Sequence, residues 1–234
     1  MTRSSNPRVV LLFGPPGAGK GTQAELLAER FGWSHVESSK FLEHWITTTP
    51  SEARVEIEGN FYTAQDQQKK WETGILMDPP LVAYLLKGEV RRLRETGQSI
   101  VTSGAFRTLY EAQSALPLAF ELYGKENIRV VSLNLSEDGS VFRNSHRRIC
   151  SLLRHPVLYG EETKNLTACP LDGSLLLKRK GLDDPETIRV RLREYNERTK
   201  PVFQYLESQG LPAVDVNADQ TPSRVFEDIQ KAIG

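Results

Sequence analysis

A short apolar run followed at once by a glycine-rich turn constrains this chain more than any other feature. The run covers residues 9–13, and residues 14–22 read Gly-Pro-Pro-Gly-Ala-Gly-Lys-Gly-Thr. Apolar residues at helical spacing follow the turn. A strand, a glycine loop with a lysine and then a helix give the context of a phosphate-binding loop, because small residues let backbone N–H groups converge on phosphate oxygens. We therefore predict that this segment binds the phosphates of a nucleotide.

Within this P-loop, Lys20 would supply a mobile cation for the phosphates. The strict pattern places Ser or Thr directly after the lysine, whereas here Gly21 follows it and Thr22 comes one position later. An ordinary glycine turn before a helix would not require the lysine or the flanking elements. The candidate triphosphate-binding residues are Gly14, Gly17, Ala18, Gly19, Lys20, Gly21 and Thr22.

Composition excludes several classes of function. The 234 residues include 30 Lys+Arg and 30 Asp+Glu, so the basic surface typical of nucleic-acid binding is not expected. No apolar stretch is long enough to span a membrane, and the polar start of the chain does not resemble an export signal. With two cysteines, we expect a reduced cytoplasmic protein, and nothing in the sequence requires a partner, so we expect a monomer.

Apolar strand-like runs alternate with helical patterns along the chain. The runs are residues 9–13, 34–36, 99–102, 128–135 and 213–216, which predicts an α/β fold with a five-stranded, doubly wound parallel sheet flanked by helices. Two stretches interrupt the alternation. Residues 38–74 have few apolar side chains and look helical, and residues 149–184 are rich in turns and charges. We expect a core of residues 1–37, 75–148 and 185–234 with these two stretches inserted.

The loop variant Gly-Pro-Pro-Gly-Ala-Gly-Lys-Gly-Thr-Gln resembles the adenylate kinase family, among the nucleoside monophosphate (NMP) kinases. The resemblance extends from residue 8 to the last helix and is closest to the long-lid type found in bacteria. It implies a P-loop NTPase fold in which residues 38–74 bind the NMP and residues 149–184 form a lid. It also implies direct in-line transfer of the γ-phosphoryl group of ATP to an acceptor, expected to be AMP, with Mg²⁺ as cofactor.

Phosphoryl transfer between two nucleotides gathers negative charge, which arginines neutralise well. Arg107 follows a strand end in Ser-Gly-Ala-Phe-Arg-Thr, which resembles the family's Asp-Gly-Phe-Pro-Arg-Thr, so the resemblance implies a contact with the acceptor phosphate. A solvated arginine at a helix start is the alternative. The residues that the resemblance places at the acceptor are Ser38, Met77, Gly104, Arg107, Glu111 and Arg191.

Further cations lie on either side of the lid. Arg143 and Arg147 are four residues apart on a helical pattern, and the resemblance assigns both to the ATP phosphates rather than to a solvated face. Arg191 borders the apolar stripe of the helix after the lid, where the family has a phosphate-bridging arginine. Lys180 stands at the position of another catalytic arginine, with Arg179 beside it. The implied catalytic residues are Lys20, Arg107, Arg147, Lys180 and Arg191.

The acceptor side departs from the family pattern. Glu43 replaces an arginine, Ser103 replaces an aspartate that orients waters on Mg²⁺, and Glu111 replaces a glutamine that reads adenine. Three interpretations remain: an adenylate kinase with reduced rate, a kinase for another NMP, or a nucleotide-binding or regulatory protein with little turnover. The presence of Lys20, Thr22, Arg147 and Arg191 on the donor side favours an active kinase, since the cations among them repel one another without a phosphate.

In the lid, Cys150, Cys169 and Asp172 keep the spacing of the zinc ligands found in many bacterial members. Leu153 occupies the position of the second ligand and cannot bind a metal. His146 or His155 would have to supply the fourth ligand from an irregular position. The sequence therefore favours a lid packed around buried thiols over a zinc site.

Overall fold

Five parallel strands form the centre of the fold in the computed structural model, which describes residues 7–73, 75–178 and 183–234. The strands, numbered in chain order, are β1 (Val9–Phe13), β2 (Ser34–Glu37), β5 (Ile100–Ser103), β6 (Ile128–Asn134) and β10 (Val214–Asn217). Their order across the sheet is β10-β6-β1-β5-β2, and every pairing is parallel. The predicted α/β fold with a five-stranded parallel sheet is confirmed, with strand ends shifted by at most a single residue.

Helices cover both faces of the sheet. They are α1 (Lys20–Phe31), α4 (Pro79–Glu95), α5 (Leu109–Tyr123), α7 (Pro185–Glu194), α8 (Lys200–Ser208) and α9 (Pro222–Ile233), with a 3₁₀ turn at Lys125–Asn127 and a π-helical segment at Tyr195–Thr199. Val9, Leu11 and Phe13 pack with α4, α5 and α8, whereas Val10 and Leu12 pack with α1 and α9. Burial on both faces explains why β1 reads as a continuous apolar run instead of an alternating pattern.

The sequence predicted that the inserted segment after β2 is helical, but the structure places a β-hairpin between its two helices. The segment consists of α2 (Ser38–Thr48), an antiparallel hairpin of β3 (Arg54–Ile57) and β4 (Asn60–Thr63), and α3 (Ala64–Thr73). The hairpin turns at Glu58-Gly59, where φ is 53° and 77°. One face of the hairpin packs Ile57 and Tyr62 against the cluster around Leu81 on α4. Tertiary packing thus stabilises a polar segment as a hairpin.

The second inserted segment, the lid, follows α6 (Glu137–His146) and is a small antiparallel sheet. Its strands are β7 (Arg148–Cys150), β8 (Pro156–Val157) and β9 (Leu176–Leu177), in the order β8-β7-β9. Within the described part of the chain, no helix is long and apolar enough to cross a membrane. The loops that follow β1, β2 and β5 meet at one edge of the main sheet, because all three strands run in the same direction.

Candidate active site

The P-loop closes tightly around its own lysine. Lys20 Nζ donates hydrogen bonds to the carbonyl oxygens of Gly14 at 2.7 Å and Pro15 at 2.8 Å. Gly19, with φ of 86°, is the N-cap of α1 and provides no side-chain cap. A Cβ atom added at Gly19 or Gly21 would meet no atom within 4 Å. The helix start therefore leaves its N–H groups and the space in front of them for an anion.

Arginines from three distant segments converge on Lys20. Burial lowers the pKa of Lys20 well below its ordinary value, and the positive charges of Arg107, Arg191 and Arg147 lower it further. Four cations this close together repel one another. Their arrangement becomes favourable when a polyphosphate lies in the cleft between them. Of the five residues predicted as catalytic, the structure brings Lys20, Arg107, Arg147 and Arg191 together. Lys180, like its neighbour Arg179, lies outside the described residues.

The backbone of Arg107 is held from both sides. Its N–H donates to the Glu111 carboxylate at 2.9 Å, and its carbonyl oxygen accepts from the Thr199 hydroxyl at 2.8 Å. Phe106, directly before it, has φ of 56°, an unfavourable value for a non-glycine residue. A Cβ atom at Gly104 would collide with the guanidinium of Arg107. Glycine at position 104 and the clamped backbone together aim this arginine into the cleft, where burial lowers its pKa.

Glu111 has a structural role that the sequence interpretation missed. Thr108 caps α5 by accepting from the Glu111 N–H, and Thr108 Oγ1 donates back to the Glu111 carboxylate at 3.0 Å. Thr108 and Glu111 therefore form a variant of the capping box, in which the Glu111 carboxylate accepts from the Arg107 N–H instead of the Thr108 N–H, and the Thr-x-x-Glu pattern is readable in the sequence. Glu111 is 2% exposed. In this conformation Glu111 positions Arg107 and its helix start, and its predicted contact with the acceptor base stays a prediction.

The arginines near the lid have carboxylate partners. Arg147, just after α6, forms a two-point ion pair with Asp183, whose side chain is 2% exposed. Arg143 contacts the exposed Asp219 at 3.3 Å. Asp183 was not identified from the sequence, because only the fold brings the far end of the lid back to α6. The charge of Arg147 also acts on Lys20, so a phosphate bound at the P-loop would compete with Asp183 for this arginine.

The acceptor side is built from the ends of β2 and β5. The Ser38 hydroxyl donates to the carbonyl oxygen of Gly104, and Ser103 Oγ lies 2.6 Å from His35 Nε2. His35, which the sequence analysis did not assign to the site, thus contacts the residue that replaces the aspartate. Met77 is 4% exposed and packs inside the inserted segment. Glu43 is exposed on α2.

Four potential metal ligands converge in the lid. Cys150, His155, Cys169 and Asp172 each offer a ligand atom, and these atoms lie within 4.8 Å of one another. The two thiols are buried, and the His155 ring nitrogens lie 3.2 Å from Cys150 Sγ and 3.4 Å from an Asp172 oxygen. His155 therefore joins the three residues predicted from spacing, whereas His146 stacks against Phe142 instead.

Comparison with known proteins identifies the family. The family described as adenylate kinase matches residues 12–211. The chain belongs to the adenylate kinase family. Proteins named adenylate kinase from Elusimicrobium minutum and Novosphingobium aromaticivorans are both 29% identical to it, over 96% of the chain and 98% and 96% of their own lengths. One from Chlamydia pneumoniae is 30% identical over 100% of the chain and 99% of its own length.

Membership of the adenylate kinase family confirms the resemblance carried by the P-loop and the arginines. It makes the chain a phosphotransferase, and kinases of this family use ATP and Mg²⁺ and act on nucleotides.

Proposed function

We propose that this protein is an adenylate kinase that transfers the γ-phosphoryl group of Mg·ATP directly to AMP, producing two molecules of ADP. The main supporting observation is the convergence of Lys20 with Arg107, Arg147 and Arg191. Phosphoryl transfer needs little covalent help from a protein, so positioning and positive charge account for most of the catalysis. The P-loop holds the donor phosphates, and Arg107, beside Ser38, receives the acceptor phosphate.

In this proposal the two inserted segments, residues 38–74 and 149–184, close over the acceptor and the donor. Closure excludes water, which would otherwise accept the phosphoryl group. The ion pair between Arg147 and Asp183 lies where the lid rejoins the core. Cytoplasmic location and a monomeric state remain predictions from the sequence.

Mg²⁺ takes most of its ligands from phosphate oxygens and water, so few protein groups are needed. When bound, it neutralises charge on the phosphates of ATP. Thr22 on α1 and Glu37 at the end of β2 are the residues that would contact its waters. Glu37 is in register with Ser103 on the neighbouring strand. Burial raises the pKa of Glu37, but the Ser39 hydroxyl and Lys40 lower it by more, so the pKa is lowered overall and the carboxylate stays ionised.

A coupled assay for ADP release, with ATP as donor and AMP, CMP, UMP or dAMP as acceptor, tests the proposal. We expect the highest kcat/KM with AMP, and loss of at least a hundredfold in Lys20→Met because the P-loop cation is removed. Arg92→Lys is the matched control, since Arg92 is exposed and pairs with Glu89. Preference for another acceptor would indicate a different NMP kinase. ATP binding without any turnover would indicate a regulatory relative.

The role of Glu43 is tested in the same assay. A carboxylate near the acceptor phosphate repels it, so Glu43→Arg should lower the KM for AMP without changing the KM for ATP. Glu43→Gln, which removes the charge but adds no cation, should give a smaller effect in the same direction. Equal kinetics for all three proteins would show that Glu43 does not face the acceptor.

We also propose that the lid holds a structural zinc ion, against the preference drawn from the sequence. The ligand set of two thiols, an imidazole and a carboxylate suits zinc. Among the residues described, Asp172 Oδ2 is buried and accepts no hydrogen bond, and its near neighbour is the His155 Nε2 at 3.4 Å, which fits a group that binds a metal together with His155. Zinc would tie the strands of the lid together. Elemental analysis of purified protein tests this, with about one zinc per chain expected.

A further inference from the structure

Helix α6 turns two polar side chains toward the P-loop. Ser140 and Asn144 lie one turn apart on its buried face, and both residues are 0% exposed. Ser140 Oγ donates to the carbonyl oxygen of Pro16 at 2.6 Å, although 124 residues separate them in sequence. Asn144 Nδ2 donates to the carbonyl oxygen of Ser140 at 2.7 Å. The Ser140 hydroxyl therefore bonds α6 to the loop, and the Asn144 amide bonds within α6 beside it, on a helix face where apolar packing would be ordinary.

Asn144 also occupies the space beside Gly17. A Cβ atom added at Gly17 would lie 2.6 Å from Asn144 Nδ2 and 3.3 Å from the carbonyl oxygen of Ser140. The backbone at Gly17 has φ of 81°, which also favours glycine. The absence of a side chain at Gly17 thus lets α6 approach the P-loop closely, and the amide of Asn144 is the group in contact.

The amide oxygen of Asn144 is in an unusual environment. This Oδ1 atom is buried and has no hydrogen-bond partner within residues 7–73, 75–178 and 183–234. A buried carbonyl without a partner is unfavourable, and an apolar side chain of the same size would avoid that cost. Packing alone therefore does not account for an asparagine at this position.

The same helix leads to the donor-side cations. Arg143 is on α6, and Arg147 directly follows its last residue. We propose that Ser140 and Asn144 are positioning residues for the donor nucleotide. They fix the Pro16-Gly17 peptide against α6, so that the N–H groups of the P-loop and the two arginines keep one relative geometry. This inference rests on the proposed function, since it takes ATP to be the ligand of the P-loop.

The test compares Ser140→Ala and Asn144→Leu with Ser145→Ala. Ser145 is on the same helix, but its hydroxyl bonds to the carbonyl oxygens of Val141 and Phe142, and the nearest atoms to a Cβ added at Gly17 belong to Asn144 and Ser140 instead. Titration calorimetry would measure the binding of ATP and of AMP separately, and thermal melting would report stability. We expect ATP affinity to fall about fivefold in Ser140→Ala, which loses the buried hydrogen bond to Pro16, and about tenfold in Asn144→Leu, which loses the bond to the Ser140 carbonyl and replaces the amide beside Gly17. AMP affinity should change less than about twofold, and Ser145→Ala should resemble wild type.

Two results would overturn the proposal. One is an equal loss of ATP and AMP affinity, and the other is a lower melting temperature with unchanged ATP affinity. Either result would mean that Ser140 and Asn144 stabilise the fold and do not position ATP. If Asn144→Leu does not fold, Ser140→Ala decides the question by itself. Binding is measured without turnover. A wild-type protein that binds ATP but transfers no phosphoryl group would contradict the proposed function and leave this test intact.

Discussion

The hydroxyl of Thr199 donates a hydrogen bond to the carbonyl oxygen of Arg107 at 2.8 Å across 92 residues of sequence. Thr199 is the last residue of the π-helical segment that follows α7, and it is 5% exposed. Segments of π-helix are often found at functional sites. Here the altered helical path lets a side chain from one element fix the backbone of Arg107, the arginine proposed to bind the acceptor phosphate.

Thr199→Val should therefore weaken acceptor binding. Valine keeps the shape of threonine but leaves the carbonyl oxygen of Arg107 without its donor, which costs about 1–3 kcal/mol in a buried setting. We expect the KM for AMP to rise about fivefold to tenfold, with the KM for ATP nearly unchanged, in steady-state kinetics. Thr199→Ser, which keeps the hydroxyl, should restore the wild-type value. Equal changes in both KM values would contradict a specific effect on Arg107.

Glu111 gives a prediction on the pH dependence of stability. Burial raises its pKa above the ordinary value of 4.5, although the Arg107 N–H and the Thr108 hydroxyl oppose this shift. The folded protein thus binds the proton of Glu111 more tightly than the unfolded chain does. Stability from this group is complete below pH 4.5 and is lost as the pH rises through the raised folded-state pKa.

The variant Glu111→Gln does not titrate and keeps groups able to bond Arg107 N–H and Thr108. The free energy of unfolding of Glu111→Gln minus that of wild type should therefore become more positive from acid to neutral pH. Urea unfolding at several pH values measures this difference. A difference that is constant with pH would show that Glu111 has an ordinary pKa.

Much of the fold was predictable because its signals are local. The central strand β1 is buried on both faces and reads as an unbroken apolar run. The P-loop has its own residue pattern. The hairpin from Arg54 to Thr63 was missed because charged and polar residues are interspersed among its apolar and aromatic ones, and its structure depends on packing against Leu81. Its Glu58-Gly59 turn is a weaker signal than the Asn-Gly or Asp-Gly typical of such turns.

The residues of the candidate site also fall into two groups, those with a local sequence signal and those without one. Arg107, Arg147 and Arg191 were predicted because each lies in a recognisable motif or at the margin of an apolar helix face. Thr199 and Asn144 have no such signal, because their roles come from contacts with residues far away in the sequence. Glu111 was assigned to the acceptor base by resemblance, while its Thr-x-x-Glu pattern already indicated a helix cap.

The zinc proposal predicts that His155 binds the metal and that His146 does not. Removing zinc with a chelator should lower the melting temperature of the wild-type lid, because a structural ion contributes directly to folding. His155→Ala should bind less zinc and lose most of the chelator effect. His146→Ala is the matched control, since His146 contacts Phe142 and Tyr159 and is not part of the ligand cluster. A wild-type protein without zinc whose melting is insensitive to chelator would contradict the proposal.

The ion pair between Arg147 and Asp183 predicts opposite effects on stability and on ATP binding. Asp183 is almost fully buried, whereas the Arg147 side chain is 22% exposed. Asp183→Asn should therefore destabilise the protein by about 1–3 kcal/mol, which is less than the loss of a partner costs in a completely buried ion pair. The carboxylate also competes with phosphate for Arg147, so the KM for ATP should fall in this variant. Glu186→Gln is the control, because it breaks an exposed ion pair with Arg189 and should change stability by less than about 0.5 kcal/mol. Urea unfolding and steady-state kinetics measure the two effects, and a raised KM for ATP would show that Asp183 orients Arg147 toward the phosphates.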